Sequence, residues 1–174
     1  MTGAMDTEHS PGWIERLARV RALASRHLLN LRNARGHWEG ELSSSALSTA
    51  TAVCALALVA RHEASADPEN EAFTRGGLRW LVAHQNQDGG WGDTPISKSN
   101  ISTTALCWAA FGAVNGGDAQ HPETVQRAEA WLTRHADGIT PEHLAPAIVQ
   151  RYGKDRTFSV PILTMCALSG RLGT

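Results

Sequence analysis

Proton chemistry needs carboxylates held close together, and this chain groups its acids in three places. Glu39 stands near Glu41, Asp67 near Glu69 and Glu71, and Asp88 near Asp93. No two Asp are adjacent, and Glu39 and Glu41 beside Trp38 read as solvated or capping groups. Eight His and three Cys raise the question of metal, but they form no His-Glu-x-x-His and no Cys-x-x-Cys. His84 and His62 read as exposed or capping residues. A Gly-x-Ser-x-Gly elbow and a phosphate-cradling Gly loop are also missing. Asp155-Arg156-Thr157-Phe158 is the remaining cluster. It precedes an apolar segment, so Asp155 and Arg156 read first as loop anchors. These residues name no catalytic group and no cofactor.

The most informative stretch runs from Arg75 to Trp91, RGGLRWLVAHQNQDGGW. Leu78, Trp80 and Leu81 share one side of a helix, with Gln85 one turn beyond. Asn86 to Gly90 cannot continue that helix, and the Gly pair at 89 and 90 permits a positive-φ exit. Trp91 then lands where it can fold back over the turn. A shielded Gln must find partners for its amide, and the ends of a neighbouring helix offer them. Gln has no proton chemistry near neutral pH, so Gln85 reads as part of a clip between helices.

The stretch has worn copies on either side. His27-Leu28 leads to Gly36-His37-Trp38, and Trp131-Leu132 leads to Gly138. A repeat of about 50 residues implies a solenoid, a propeller or a ring. The positioning elements read as helices throughout. Ser10-Pro11 opens one to about Leu31, and the next runs from about Ser45 to Arg61. Others run from Asp67-Pro68 to His84 and from about Ser99 to Val114, stopped by Asn115-Gly116-Gly117. His121-Pro122 opens a helix that ends before Gly138. Thr140-Pro141 opens a short one, and Ser159-Val160-Pro161 opens the last, to about Arg171. Ala46–Ala60 and Ile101–Ala113 carry no charge, whereas their partners do. Inner helices ringed by amphipathic outer ones would explain this, and so would a stack of hairpins.

With 174 residues, 16 basic and 17 acidic, the chain fits one domain and its overall balance argues for neither nucleic acid nor an anionic surface. The first thirty residues have no apolar h-region, and the run Ala52–Ala60 is too short to span a bilayer. A cytoplasmic protein without a transmembrane segment is expected. Cys54, Cys107 and Cys166 fall at corresponding positions of apolar segments and read as core packing.

Arg75-Gly76, Trp80-Leu81, Gln85 and Gly89-x-Trp91 match the QW motif of the squalene and oxidosqualene cyclases. Gly36-His37-Trp38-Glu39-Gly40-Glu41-Leu42 and Tyr152–Ile162 resemble further segments of squalene-hopene cyclases, in the same order. The likeness runs from about Trp13 to the end, giving a tail at 1–12 and a helical repeat domain at 13–174.

The resemblance implies an all-α, α/α toroid-like ring of helical hairpins, incomplete at about three repeats. Gln85, Gly89, Trp91, Trp80, Trp38 and Trp131, with Asp155 and Arg156, are then structural motif residues. Phe158 is the candidate for a substrate-binding cavity wall, where aromatic rings stabilise carbocations. In a complete relative the reaction would be cyclisation of a linear, squalene-like polyprene without metal. The family's protonating Asp-x-Asp-Asp and Asp-Cys-Thr-Ala-Glu motifs are not in this sequence. The expected partners are therefore a carboxy-terminal cyclase half or a second copy covering the open edge. The rival readings are a non-catalytic scaffold for a prenyl or lipid partner and one subunit of a split cyclase. Placement would be cytoplasmic, peripheral at the membrane within a complete cyclase.

Overall fold

A computed structural model describes residues 12–38, 43–62 and 67–173. They belong to two compact units, Met1–Leu42 and Ser43–Thr174. Among the described residues the chain is all-α, with eight helices and no strand.

The first unit holds α1, Gly12–Asn30, followed by a turn through Trp38. The second holds α2 (Ala46–His62), α3 (Pro68–Ala83), α4 (Ile101–Ala113), α5 (Gly117–Gln120), α6 (Pro122–Ala136), α7 (Pro141–Tyr152) and α8 (Ser159–Leu168). Local chemistry sets most starts. Asp67 caps α3 by accepting the N–H of Glu69, and Pro68 takes the first helical position, where a missing N–H costs nothing. Asn100 caps α4 through the N–H of Thr103. Pro122 and Pro141 open α6 and α7 in the same manner.

Charge-free α4 is the centre of the second unit. Every residue from Ser102 to Phe111 is buried, as expected of a helix that is apolar all round. It packs on α2, α6 and α8. Two contacts repeat with the same sequence interval. The Cys107 thiol meets the carbonyl of Ala46 at 3.8 Å, and that of Cys166 meets Ala105, also at 3.8 Å. Small sulfur side chains thus seat α4 on α2 and α8 on α4. All three cysteines are free and buried. Burial pushes the Cys54 thiol up to about 11 against the opposing hydrogen bond from Ser169, and the Cys166 thiol to about 12. They are packing groups, not nucleophiles.

The outer helix α3 comes close to α2 because Gly77 has no side chain. A Cβ there would stand 2.4 Å from Cγ2 of Val53. On α3 and α6 the apolar stripe is turned to the core, with Leu78 and Leu81 on α3 and Val125, Ala128, Trp131 and Leu132 on α6 buried.

Two elements depart from the sequence reading. Asn115-Gly116-Gly117 does not simply stop a helix. Gly116 turns left-handed at φ 71°, and one further turn, α5, follows. The helix opened at Pro141 is not short but runs twelve residues, with Pro146 inside it. Pro146 forfeits one backbone bond near the start, and the burial of Leu144 and Ile148 holds the helix through it.

Candidate functional site

The Gln85–Trp91 turn is built from its own backbone. The N–H of Asn86 reaches the carbonyl of Gly90 at 2.9 Å, and that of Gly89 returns to Asn86 at 3.0 Å. Gly89 takes φ 94°. Trp91 is wholly buried, and its indole N–H donates to the Leu81 carbonyl at the end of α3, 2.9 Å away. Thr104 of α4 meets both the N–H and the carbonyl of Trp91, so the turn is tied to the inner helix as well.

The first unit contains the same turn 53 residues earlier. Asn33 N–H to His37 carbonyl is 2.9 Å, Gly36 N–H to Asn33 carbonyl is 3.0 Å, and Gly36 has φ 86°. The Trp38 indole donates to Leu28, as Trp91 does to Leu81. The third copy keeps only the first half. Trp131 stacks on His135 at 3.7 Å between ring centroids, as Trp80 stacks on His84 at 3.9 Å. Ala136 and Glu142 then stand where Gln85 and Trp91 would recur. Asp137 and Gly138 carry the chain at positive φ into α7 instead.

One stripe of α6 grips the second-copy turn. Gln85 Nε2 donates to the carbonyls of Gly89 at 2.8 Å and Thr124 at 3.0 Å. Arg127 donates to the carbonyls of Asn86 and Gln87, and Arg134 to that of Asp88. The Trp131 indole N–H meets the Asp88 carboxylate at 3.0 Å. Thr124, Arg127, Trp131 and Arg134 follow at steps of three, four and three, which is one face of a helix. Asp88 is the hub, taking the Ser99 hydroxyl and the Gly90 N–H as well. Burial would raise its carboxyl, but the hydrogen bonds from Ser99, Gly90 and Trp131 outweigh that and hold it below the ordinary range.

A second junction gathers the carboxy-terminal ends of α2, α4 and α8. Arg61 at the end of α2 donates to the last carbonyls of α4, Gly112 and Ala113, and to Leu168 of α8. Cations there satisfy free carbonyls and the negative helix end together. Arg171 lies 4.3 Å from the Trp108 ring, donates to the Trp108 carbonyl, and pairs with both oxygens of Asp118. A cavity of about 400 Å³ opens beside Arg61, bordered by Ala57, Asp67, Asn70, Arg75 and Val114. Charged groups on its wall would face any hydrocarbon placed there, at a desolvation cost.

The remaining sequence candidates sit apart from these junctions. The Thr157 side chain, and then its N–H at 2.8 Å, hydrogen-bond to Asp155 and lower its exposed carboxyl. Arg156 is exposed, and its carbonyl receives the Val160 N–H at the start of α8. Phe158 is 58% exposed, with its ring 5.7 Å from that of Tyr152. Glu39 and Glu41 lie outside the described residues. Among the described residues no three His, Cys, Asp or Glu gather as metal ligands would, and no helix is long and apolar enough to cross a membrane. Sequence reasoning missed Asp88, Arg127, Arg134, Arg61 and Arg171. The three-four-three stripe on α6 was the available signal for two of them.

Asp93 provides a test of the turn's outer leg. Thr103 and Asn100 donate to its carboxylate and, against partial burial, hold its pKa down, with Arg151 adding to the effect. A carboxyl lowered in the folded state contributes stability above its unfolded pKa of ~3.9, and loses it as pH falls through the folded value. Asp93→Asn should therefore be less stable than the parent near neutral pH, with the gap closing below about pH 4. Denaturant melts across that range check it. A gap independent of pH would mean that the Asp93 charge contributes nothing.

All-α architecture, with the Gln-Asn-Gln-Asp-Gly-Gly-Trp turn after α3 clipped to α6, is the class of protein the structure defines. The chain belongs to the family of squalene-hopene cyclase N-terminal domains, which it matches over residues 22–145. It is 33% identical over 104 residues to the squalene hopane cyclase afumA of Aspergillus fumigatus, covering 60% of this chain and 13% of that protein. It is 26% identical over 106 residues to a probable squalene–hopene cyclase of Sinorhizobium fredii, covering 55% of this chain and 16% of that one. The chain thus spans less than a fifth of these relatives' length. No solved structure matches it.

Proposed function

We propose that these 174 residues supply helical architecture to a squalene-hopene-type cyclase, as part of an α/α toroid, and do not themselves start the reaction. The observation that carries the reading is the α6 grip on the Gln85–Trp91 turn, inside the family match. In this reading each QW turn locks one outer helix to the next, and the inner helices form the wall. Cyclisation of a polyprene begins with proton transfer to an alkene, which demands a strong acid in a dry, preorganised site. An ordinary carboxyl ionises near pH 4 and stays protonated at neutral pH only by burial beside suitable neighbours. Helices α2, α4 and α8 contain no Asp or Glu. The acid must then come from sequence other than these residues.

Purified chain incubated with squalene is expected to yield no cyclic triterpene by gas chromatography. Cyclic product that survives removal of contaminating full-length cyclase would overturn the proposal. Loss of that product in Asp155→Asn would then locate the acid.

A further inference from the structure

The cavity beside Arg61 lies apart from the Gln85–Trp91 turn, and every residue lining it belongs to the second unit. It sits where the last turns of α2 and α4 meet the first turn of α3. Its volume of about 400 Å³ falls within the ~300–1,000 Å³ of small-molecule pockets. Ala57 and Ala113 are its buried apolar lining, and Ala60 and Val114 extend that surface toward solvent.

The rest of the lining is polar and carries both signs of charge, Arg61 and Arg75 against Asp67 and Glu71. Those groups do not satisfy one another completely. Arg75 meets Glu71 at 2.6 Å through one nitrogen and one oxygen, so each keeps atoms for a further partner. Asp67 gives one oxygen to the Glu69 N–H and keeps the other. The side chains of Asn115 and Gln120 have no hydrogen-bond partner among the described residues.

This lining discriminates among ligands. A simple anion would face Asp67, Glu71 and the negative ends of α2 and α4. A simple cation would face Arg61 and Arg75. A neutral polyol could take the hydrogen bonds but would answer neither charge. A zwitterion answers both, and charge-assisted hydrogen bonds are the stronger kind.

We propose that this cavity binds a small zwitterion of the amino-acid class with a short apolar body. Asp67 takes its ammonium group, Arg75 takes its carboxylate, and the body lies on the alanines. Asn115 and Gln120 complete the hydrogen bonds. The proposal does not rest on the cyclase reading, because no part of the Gln85–Trp91 turn lines the cavity.

The test is isothermal titration of the full chain with L-valine, isobutylamine, isovalerate and glycerol. Valine carries both charges, the amine and the acid one each, and glycerol none. Saturable binding of valine is expected, tighter by about tenfold or more than that of the other three. Asp67→Asn should weaken valine binding about tenfold while leaving α3 capped, since Asn serves as well as Asp at that position. Arg75→Gln should weaken it to a similar degree. Both positions are exposed, and thermal melts matching the parent would show the variants folded. Absence of saturable valine binding would overturn the proposal. So would equal binding of the amine, the acid or glycerol, or undiminished valine binding in either variant.

Discussion

Trp91→Ala is expected to destabilise the second unit by ~3–5 kcal/mol, the usual loss on truncating a packed Trp. Three effects add at that position. The indole is wholly buried, with its ring centroid 6.3 Å from that of Phe111. Its removal leaves a cavity between α3 and α4 that a helix end clamped from several sides cannot collapse. Its N–H also satisfies the Leu81 carbonyl, which the variant would leave without that donor. The backbone bonds of Trp91 to Thr104 survive the change, so the loss belongs to the ring and not to the turn. Thermal or denaturant melts decide it. A loss below about 1 kcal/mol would mean that the ring contributes nothing beyond an ordinary surface side chain.

The second large effect is expected at Gly89, where a β-carbon meets two obstacles. The backbone there is left-handed at φ 94°, and a Cβ would stand 2.7 Å from the Arg127 carbonyl oxygen. The first costs the variant conformational strain, and the second forces α6 away from the turn, loosening the Gln85 and Trp131 contacts. Gly89→Ala should therefore cost about 2–4 kcal/mol. Gly36 is the internal control. Its turn has the same hydrogen bonds and φ 86°, but nothing lies within 4 Å of an added Cβ. Gly36→Ala should cost only the conformational part, about 1–2 kcal/mol. Equal losses at the two glycines would show that the α6 contact adds nothing to the turn's own strain.

The two glycines also show how far this chain could be read without coordinates. Its own residues determine that it is helical, where α3, α4, α6 and α7 begin, and that one turn occurs twice. Those features depend on neighbours a few residues apart. Pro at the first helical position, Asp67 or Asn100 at a cap, and Gly at a left-handed φ act within one turn of chain. The spacing of Gln85, Gly89 and Trp91 belongs to that local class. So does the absence of Asp and Glu from α2, α4 and α8.

Tertiary structure alone decided the use of that turn. Gln85 was legible as a group in need of partners, but nothing local names Thr124, and nothing marks Asp88 as the group that joins Ser99, Gly90 and Trp131. In the sequence, Arg61 and Arg171 mark only the approximate ends of two helices. They became helix-end donors only once α2, α4 and α8 were brought together. A side chain's hydrogen-bonding capacity is written in its own chemistry. Its partner is set by chain that arrives from far along the sequence, and packing of α2, α6 and α8 on the apolar α4 determines where that chain arrives.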